Sequence, residues 1–248
     1  MEHFYASKYH ELEGSYWLFK GRRDMIFRLI KDYDRNVEIL DAGCSGGALI
    51  GFLMDRGFKN IEGVEIDKNA VKICRQKGIN NVRIADAEKT GFKDQKFDVI
   101  IASDILEHIK DEYKALSEWY RILKPNGKLF IFVPAFKFLW SEHDEINHHY
   151  RRYCKSGLCR VLTESGFIIE RSSYWNFSLF FPLSLVRLFQ KFFLYGSRKS
   201  GDQLYEVGLF LNKALEYLLK FENMILSLGI NLAVGISVFA IAKKYEKD

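Results

Sequence analysis

The sequence predicts an open α/β fold built on a mostly parallel sheet. Three observations lead there. The stretch Val37-Glu-Ile-Leu-Asp-Ala-Gly-Cys-Ser-Gly-Gly47 is a short apolar, partly β-branched run that ends in a glycine-rich turn. A strand–helix alternation then continues to about residue 175, the rhythm of right-handed βαβ units. The chain has 248 residues, 48% hydrophobic and 28% charged, which suits one substantial core.

The elements follow in order. Residues 1–35 are helical in tendency and aromatic, with Tyr16, Trp17 and Phe19 followed by Arg22 and Arg23. Strands are expected near 37–42, 60–66, 81–85, 97–103 and 127–133, and helices near 46–56, 68–77 and 111–123. In the first of these helices Leu49, Ile50, Leu53 and Met54 recur at helical spacing. Asp67 is placed to cap the helix that follows it. Leu123-Lys-Pro-Asn-Gly-Lys-Leu reads as a helix end, a turn and a new strand. A helix near 155–165 ends at Gly166, and 167–174 is a further strand. Residues 178–228 are helical and apolar, and 236–242 is the last strand candidate.

Composition narrows the function classes. The formal net charge of +5 is ordinary solubility charge and gives no reason to expect nucleic acid as a partner. The four cysteines show no C-x-x-C pair, so a reduced, cytoplasmic setting is expected, with membrane association left open by the apolar 178–228 segment. The N-terminus lacks the basic and apolar regions of a secretory signal.

Strand, glycine turn and helix N-terminus together make a nucleotide-sized site at the carboxyl edge of a parallel sheet. The glycine register does not fit G-x-G-x-x-G, and no Lys follows as a P-loop requires. The turn instead resembles motif I of the class I S-adenosylmethionine-dependent methyltransferases, (V/I)LD-x-GCG-x-G. Asp41, Gly43, Cys44 and Gly47 match, and Ser45 stands where the family usually has glycine. The resemblance implies a Rossmann-like methyltransferase sheet whose last two strands form an antiparallel hairpin, with 178–228 inserted between them. It divides one domain of residues 1–248 into an N-terminal helical cap (1–35), a cofactor-binding core (36–177), the insertion (178–228) and the last strand (229–248).

The resemblance also assigns roles. Glu65, about 20 residues past the glycine turn, becomes the ribose-binding acid, with Ile66 beside it. Asp86 and Ala87 fall where the family meets adenine. Phe97–Ile109 resembles the fourth strand and the "LEH" segment of small-molecule methyltransferases, including those of quinone biosynthesis. Ser103 and Asp104 would lie near the transferable methyl. His108 is the first candidate for a catalytic base, since imidazole titrates near neutrality, and His149 is the second. Trp140–Tyr153 resembles the prokaryotic form W-S-x-x-D-x-x-x-x-H-x-R-R-Y, matched by Asp144, His149, Arg151, Arg152 and Tyr153. These residues either contact an acidic acceptor, through the two arginines, or form an internal Arg–Asp network. No metal is expected there, because His148 and His149 are adjacent and no H-x-x-x-H spacing occurs. N/D-P-P-Y is absent, which argues against base amines as acceptors.

The expected chemistry is methyl transfer from S-adenosylmethionine to a small or lipid-linked acceptor, with O-methylation favoured. A cofactor-binding module without turnover and a nicotinamide-dependent oxidoreductase are the alternatives. In the insertion, Leu185, Leu188, Phe189, Phe192 and Phe193 form one stripe and Leu204, Val207, Leu211, Leu215 and Leu218 a second. They are expected to pack on the core, to cover a greasy acceptor, or to meet a membrane surface or a second copy of the chain. Arg187, Gln190 and Lys191 argue against a membrane span.

Overall fold

The computed structural model describes residues 12–193 and 207–245. The elements in chain order are α1 (Trp17–Ile30), β1 (Glu38–Ala42), α2 (Ala48–Met54), β2 (Asn60–Glu65), α3 (Lys68–Gln76), β3 (Val82–Ile84), β4 (Phe97–Ser103), α4 (Glu112–Ile122), β5 (Leu123–Pro134), α5 (Glu142–Ile146), α6 (Lys155–Glu164), β6 (Phe167–Trp175), α7 (Phe180–Phe193), α8 (Leu209–Ser227) and β7 (Ser237–Lys244). The seven strands run in the order β3-β2-β1-β4-β5-β7-β6. β1 to β5 are parallel, and β7 pairs antiparallel with both β5 and β6. This is the Rossmann-like sheet with a terminal hairpin that the sequence led us to expect.

The two sheet faces carry separate cores, as strand periodicity dictates. Along β4, Ile100 and Ala102 face α4 and α6, where they meet Trp119, Leu116 and Leu162. Val99 and Ile101 face the opposite way, toward α1, α2, α3 and α8, with Met25, Ile26, Leu53 and Leu219. Strands buried on both faces read as continuous apolar runs, which is why they were visible in the sequence.

α7 and α8 lie between β6 and β7, in the expected insertion. α8 is fastened to α1. Asn212 accepts the N–H of Trp17, Asn223 donates to the Gly21 carbonyl and to Asp24, and Lys20 pairs with Glu216. The crossing is tight: a Cβ on Gly21 would come within 2.5 Å of Leu219. The buried face of α8 is Leu219, Glu222, Asn223 and Leu226. The expected stripe is split: Val207 and Leu215 pack half-buried against the core, while Leu211 and Leu218 are exposed. Polar Glu222 and Asn223 occupy the inward face because the neighbouring backbone and Trp175 offer them hydrogen bonds. Leu204 lies outside the described residues, as do the side chains of Phe192 and Phe193.

One local expectation differs. The turn expected after Leu123 is absorbed into a single bulged strand, Leu123–Pro134. Phe97 pairs with Leu123 at once, and Asn126 takes a left-handed φ of 63° to carry the irregularity.

Candidate functional site

A cavity of about 300 Å³ opens at the carboxyl ends of β1, β2 and β3, beside the point where strand order reverses between β1 and β4. Its walls include Gly43, Glu65, Ile66, Asp86, Ala87 and His108. Six of the residues singled out in the sequence thus meet on one surface, carried there by four different strand ends. That volume is at the lower end of the range for small-molecule sites, about 300–1,000 Å³.

The glycine turn explains itself. Gly43 has φ 76°, and a Cβ there would stand 2.8 Å from Ile105, so a side chain would collide with the next strand's loop. Ser45 also takes a positive φ, 47°, at the position where the family usually has glycine. Its strain is compensated: the Ser45 N–H donates to Glu65 Oε2 at 2.9 Å. Glu65 Oε1 accepts the Asp67 N–H at the same distance, so β2's terminal carboxylate is aimed by two backbone donors while still bordering the cavity. Each oxygen keeps a lone pair for a vicinal diol, which is what a ribose presents. Asp86 accepts the Glu88 N–H in a tight turn, and the Ala87 carbonyl accepts the indole N–H of Trp119, which fixes the strand-end loop. These residues fit an adenosyl group.

Other expected cofactor residues lie behind the wall. Asp41, Cys44, Ser45, Gly47 and Ser103 do not line the cavity. Asp41 is buried, and burial pushes its carboxyl well above the ordinary range, reinforced by Glu13, Cys74 and Glu65 nearby. Cys44 shares a hydrogen bond with Cys74 that raises its thiol, and Cys74 donates to the Ser45 carbonyl. They shape the turn from below.

The acceptor side begins where β4 ends. Asp104 adopts φ 54° and turns its carboxylate to Arg22, 2.9 Å away. Arg22 comes from α1 and was not assigned a role in the sequence. It is buried, donates to Ser103 and Ser237, and lies over the rings of Trp175 and Phe132. A 3₁₀ turn, Leu106–His108, follows. His108 Nδ1 meets the Asn147 carbonyl at 2.9 Å and must donate to it, which leaves a lone pair on Nε2. Burial, with His149 close by, lowers the His108 pKa to about 4. Neighbouring Glu107 is 1% exposed; burial and Asp104 hold its carboxyl well above the usual range, and its Oε2 has no hydrogen-bond partner.

The Trp140–Tyr153 segment folds into an internal network. Asp144 is fully buried and accepts from the Ser141 N–H, from Arg152 Nε and Nη2, and from His149 Nδ1. Burial alone would raise its carboxyl, but the donors from His149 and Arg152 hold it well below the ordinary range. Arg152 also donates to the Ala135 carbonyl, and Arg151 pairs with Glu112 and donates to the carbonyls of Ile109 and Lys110. The Tyr153 hydroxyl donates to Glu112. The two arginines are thus engaged inside the chain. From this segment it is Tyr150 that reaches the cavity wall.

With this geometry in hand, three comparisons bear on identity. Residues 40–131 match a methyltransferase domain family. A ubiquinone biosynthesis O-methyltransferase of Bartonella bacilliformis is 33% identical over 100 residues, 38% of this chain and 40% of that protein. Sterol 4-C-methyltransferase strm-1 of Caenorhabditis elegans is 33% identical over 108 residues, 41% of this chain and 32% of its own. The chain therefore spans less than half the length of these curated relatives. Among solved structures, a SAM-dependent methyltransferase from Archaeoglobus fulgidus superposes with a TM-score of 0.61 at 21% identity, covering 97% of this chain and all of its own. That likeness is one of fold.

Proposed function

We propose that the chain is a class I S-adenosylmethionine-dependent methyltransferase and that it transfers a methyl group to a hydroxyl of a small or lipid-linked acceptor. The observation that carries the reading is the shared cavity: Glu65, Asp86 and Ala87 border it together with His108. S-adenosylmethionine supplies, when bound, a methyl group on a sulfonium that is already a good leaving group. The chain's residues supply position and a place for the proton. Glu65 would hold the ribose hydroxyls, and Asp86 and the Ala87 backbone the adenine. His108, with its free Nε2, and His149 behind it would accept the acceptor's proton. The Bartonella relative's O-methyltransferase name supports oxygen as the nucleophile.

Glu65→Ala should weaken S-adenosylmethionine binding by about 1–3 kcal/mol in calorimetry, the cost of hydrogen bonds lost to a charged acceptor. Unchanged donor affinity in that variant, or a preference for NAD, would count against the reading.

The lipid-linked half of the proposal has its own support. Phe180 opens α7 and packs on Phe136 and Phe138, just past the acceptor-side end of β5. From there α7 and α8 expose Phe181, Leu185, Phe189, Leu209, Phe210 and Phe221, with Leu209 at 83% and Phe210 at 88%. An apolar surface of that extent marks an interface. The acids of α8 are taken up by Lys20, Lys220 and the backbone of Phe177 and Ser178. An apolar face of this kind suits a bilayer surface. Among the described residues no helix is long and apolar enough to cross a membrane. The protein should float with phosphatidylglycerol vesicles and Leu209→Glu/Phe210→Glu should not. A folded wild-type protein that stays behind as a dimer would assign the face to a second copy instead.

A further inference from the structure

Glu107, His108 and His149 form a cluster that the sequence does not announce, because its members come from two segments some 40 residues apart. One ligating atom from each lies within 4.8 Å of those of the other two. The two imidazole rings meet edge to face, 4.5 Å between centroids. Each ring has its Nδ1 committed to an acceptor: His108 to the Asn147 carbonyl, His149 to the buried carboxylate of Asp144. The lone pair left to each is therefore on Nε2. An imidazole whose far nitrogen donates to a carboxylate or carbonyl is the arrangement that orients a histidine as a metal ligand. The third member provides the independent sign: Glu107 is 99% buried by its 1% exposure, and its Oε2 has no hydrogen-bond partner.

The surrounding charges leave room for a cation. Arg22 and Arg152 face Glu107. Each is held by its own carboxylate, Arg22 by Asp104 and Arg152 by Asp144. Two carboxylates thus balance two guanidiniums, and Glu107 would bring the further negative charge when a cation displaces its proton to solvent.

We propose that Glu107, His108 and His149 bind a divalent first-row cation, with zinc the best match to two imidazoles and one carboxylate. Three protein ligands leave coordination positions open toward the cavity that His108 borders. Binding draws the ligands together, since tetrahedral zinc with bonds of about 2.0–2.2 Å places its ligands closer than 4.8 Å apart. The cation's task, which rests on the methyl-transfer reading, is to lower the pKa of the acceptor hydroxyl. The oxygen then forms its bond to the methyl carbon, the carbon–sulfur pair returns to sulfur, and the proton leaves to solvent. In the loaded protein His108 and His149 are ligands and no longer bases.

The test is binding of the metal alone to chelator-stripped protein, by calorimetry with Zn²⁺ and by visible absorption with Co²⁺. One site per chain with a dissociation constant of about 1 μM or tighter is expected, with Co²⁺ bands in the visible. His108→Ala and Glu107→Gln should each weaken it by about 100-fold or more, Glu107→Gln keeping the side-chain shape so that loss of fold is not the cause. Absence of a saturable site, or equal affinity in both folded variants, overturns the proposal. Methyl transfer that survives chelation yet needs His108 would also overturn it, leaving the methyltransferase reading intact. Metal binding without affinity for S-adenosylmethionine would do the reverse.

Discussion

Replacing Asp144 by alanine is expected to destabilise the protein by about 3–5 kcal/mol, the cost of leaving a buried charge without its partner. Asp144 has no exposure and accepts from Arg152 at 2.7 and 3.0 Å, from His149 at 2.9 Å and from the Ser141 N–H at 2.8 Å. The truncation would leave the Arg152 guanidinium, whose side chain is 10% exposed, with only the Ala135 carbonyl. It would also remove the group that fixes the His149 ring. Removing both charges in Asp144→Ala/Arg152→Met should recover part of the loss, because an apolar pair of similar volume escapes the desolvation penalty. Urea unfolding with an unchanged slope measures both effects. A loss below about 1 kcal/mol for Asp144→Ala would show that the network is dispensable.

That network also marks where sequence reasoning reached its limit. The strands were legible because a strand covered on both faces is an apolar run, and β4 was placed to the residue. Asp67 was legible as a cap because capping is local, and its side chain accepts the Asn69 N–H. Gly43, Glu65 and Asp86 were legible because they follow strand ends at a fixed spacing, and all three border the cavity. Arg22 was not, since its partners Asp104, Ser237 and Trp175 are 82 to 215 positions away and no local pattern points to them. The same holds for Glu107 and for the pairing of His108 with His149. The buried face of α8 was legible only in part, for a different reason. Its inward face includes Glu222 and Asn223, which hydrogen-bond to Phe177, Ser178 and Trp175, and a rule that counts only apolar residues leaves them out. The local resemblance around Arg151 and Arg152 was real as a pattern, but the contacts given to both guanidiniums are internal.

A second large effect is expected from Glu13, whose carboxyl reaches across to the glycine turn. It is 8% exposed and sits by the N–H groups of Gly46 and Ala48, with one oxygen left unpaired. Burial raises its pKa to about 7, against the pull of Lys77, Arg23 and those two N–H groups. Asp41 and Cys74 also face it. The sign follows from proton counting. Between the ordinary value of 4.5 and about 7 the folded chain holds a proton on Glu13 that the unfolded chain has released. Stability must therefore fall as pH rises through that window, by about 3 kcal/mol for this one group. Other groups mask it in the wild type. His143, kept at about 4 by burial, is neutral when folded and charged when unfolded, so it makes stability rise over part of the same range. The difference between wild type and Glu13→Gln isolates the single site. Glutamine cannot ionise, so its advantage over the wild type should grow by about 2–3 kcal/mol between pH 5 and pH 8. Denaturation midpoints measured at both pH values decide it. A difference that is flat with pH would mean that Glu13 is charged in the folded chain throughout, held so by Lys77 and Arg23.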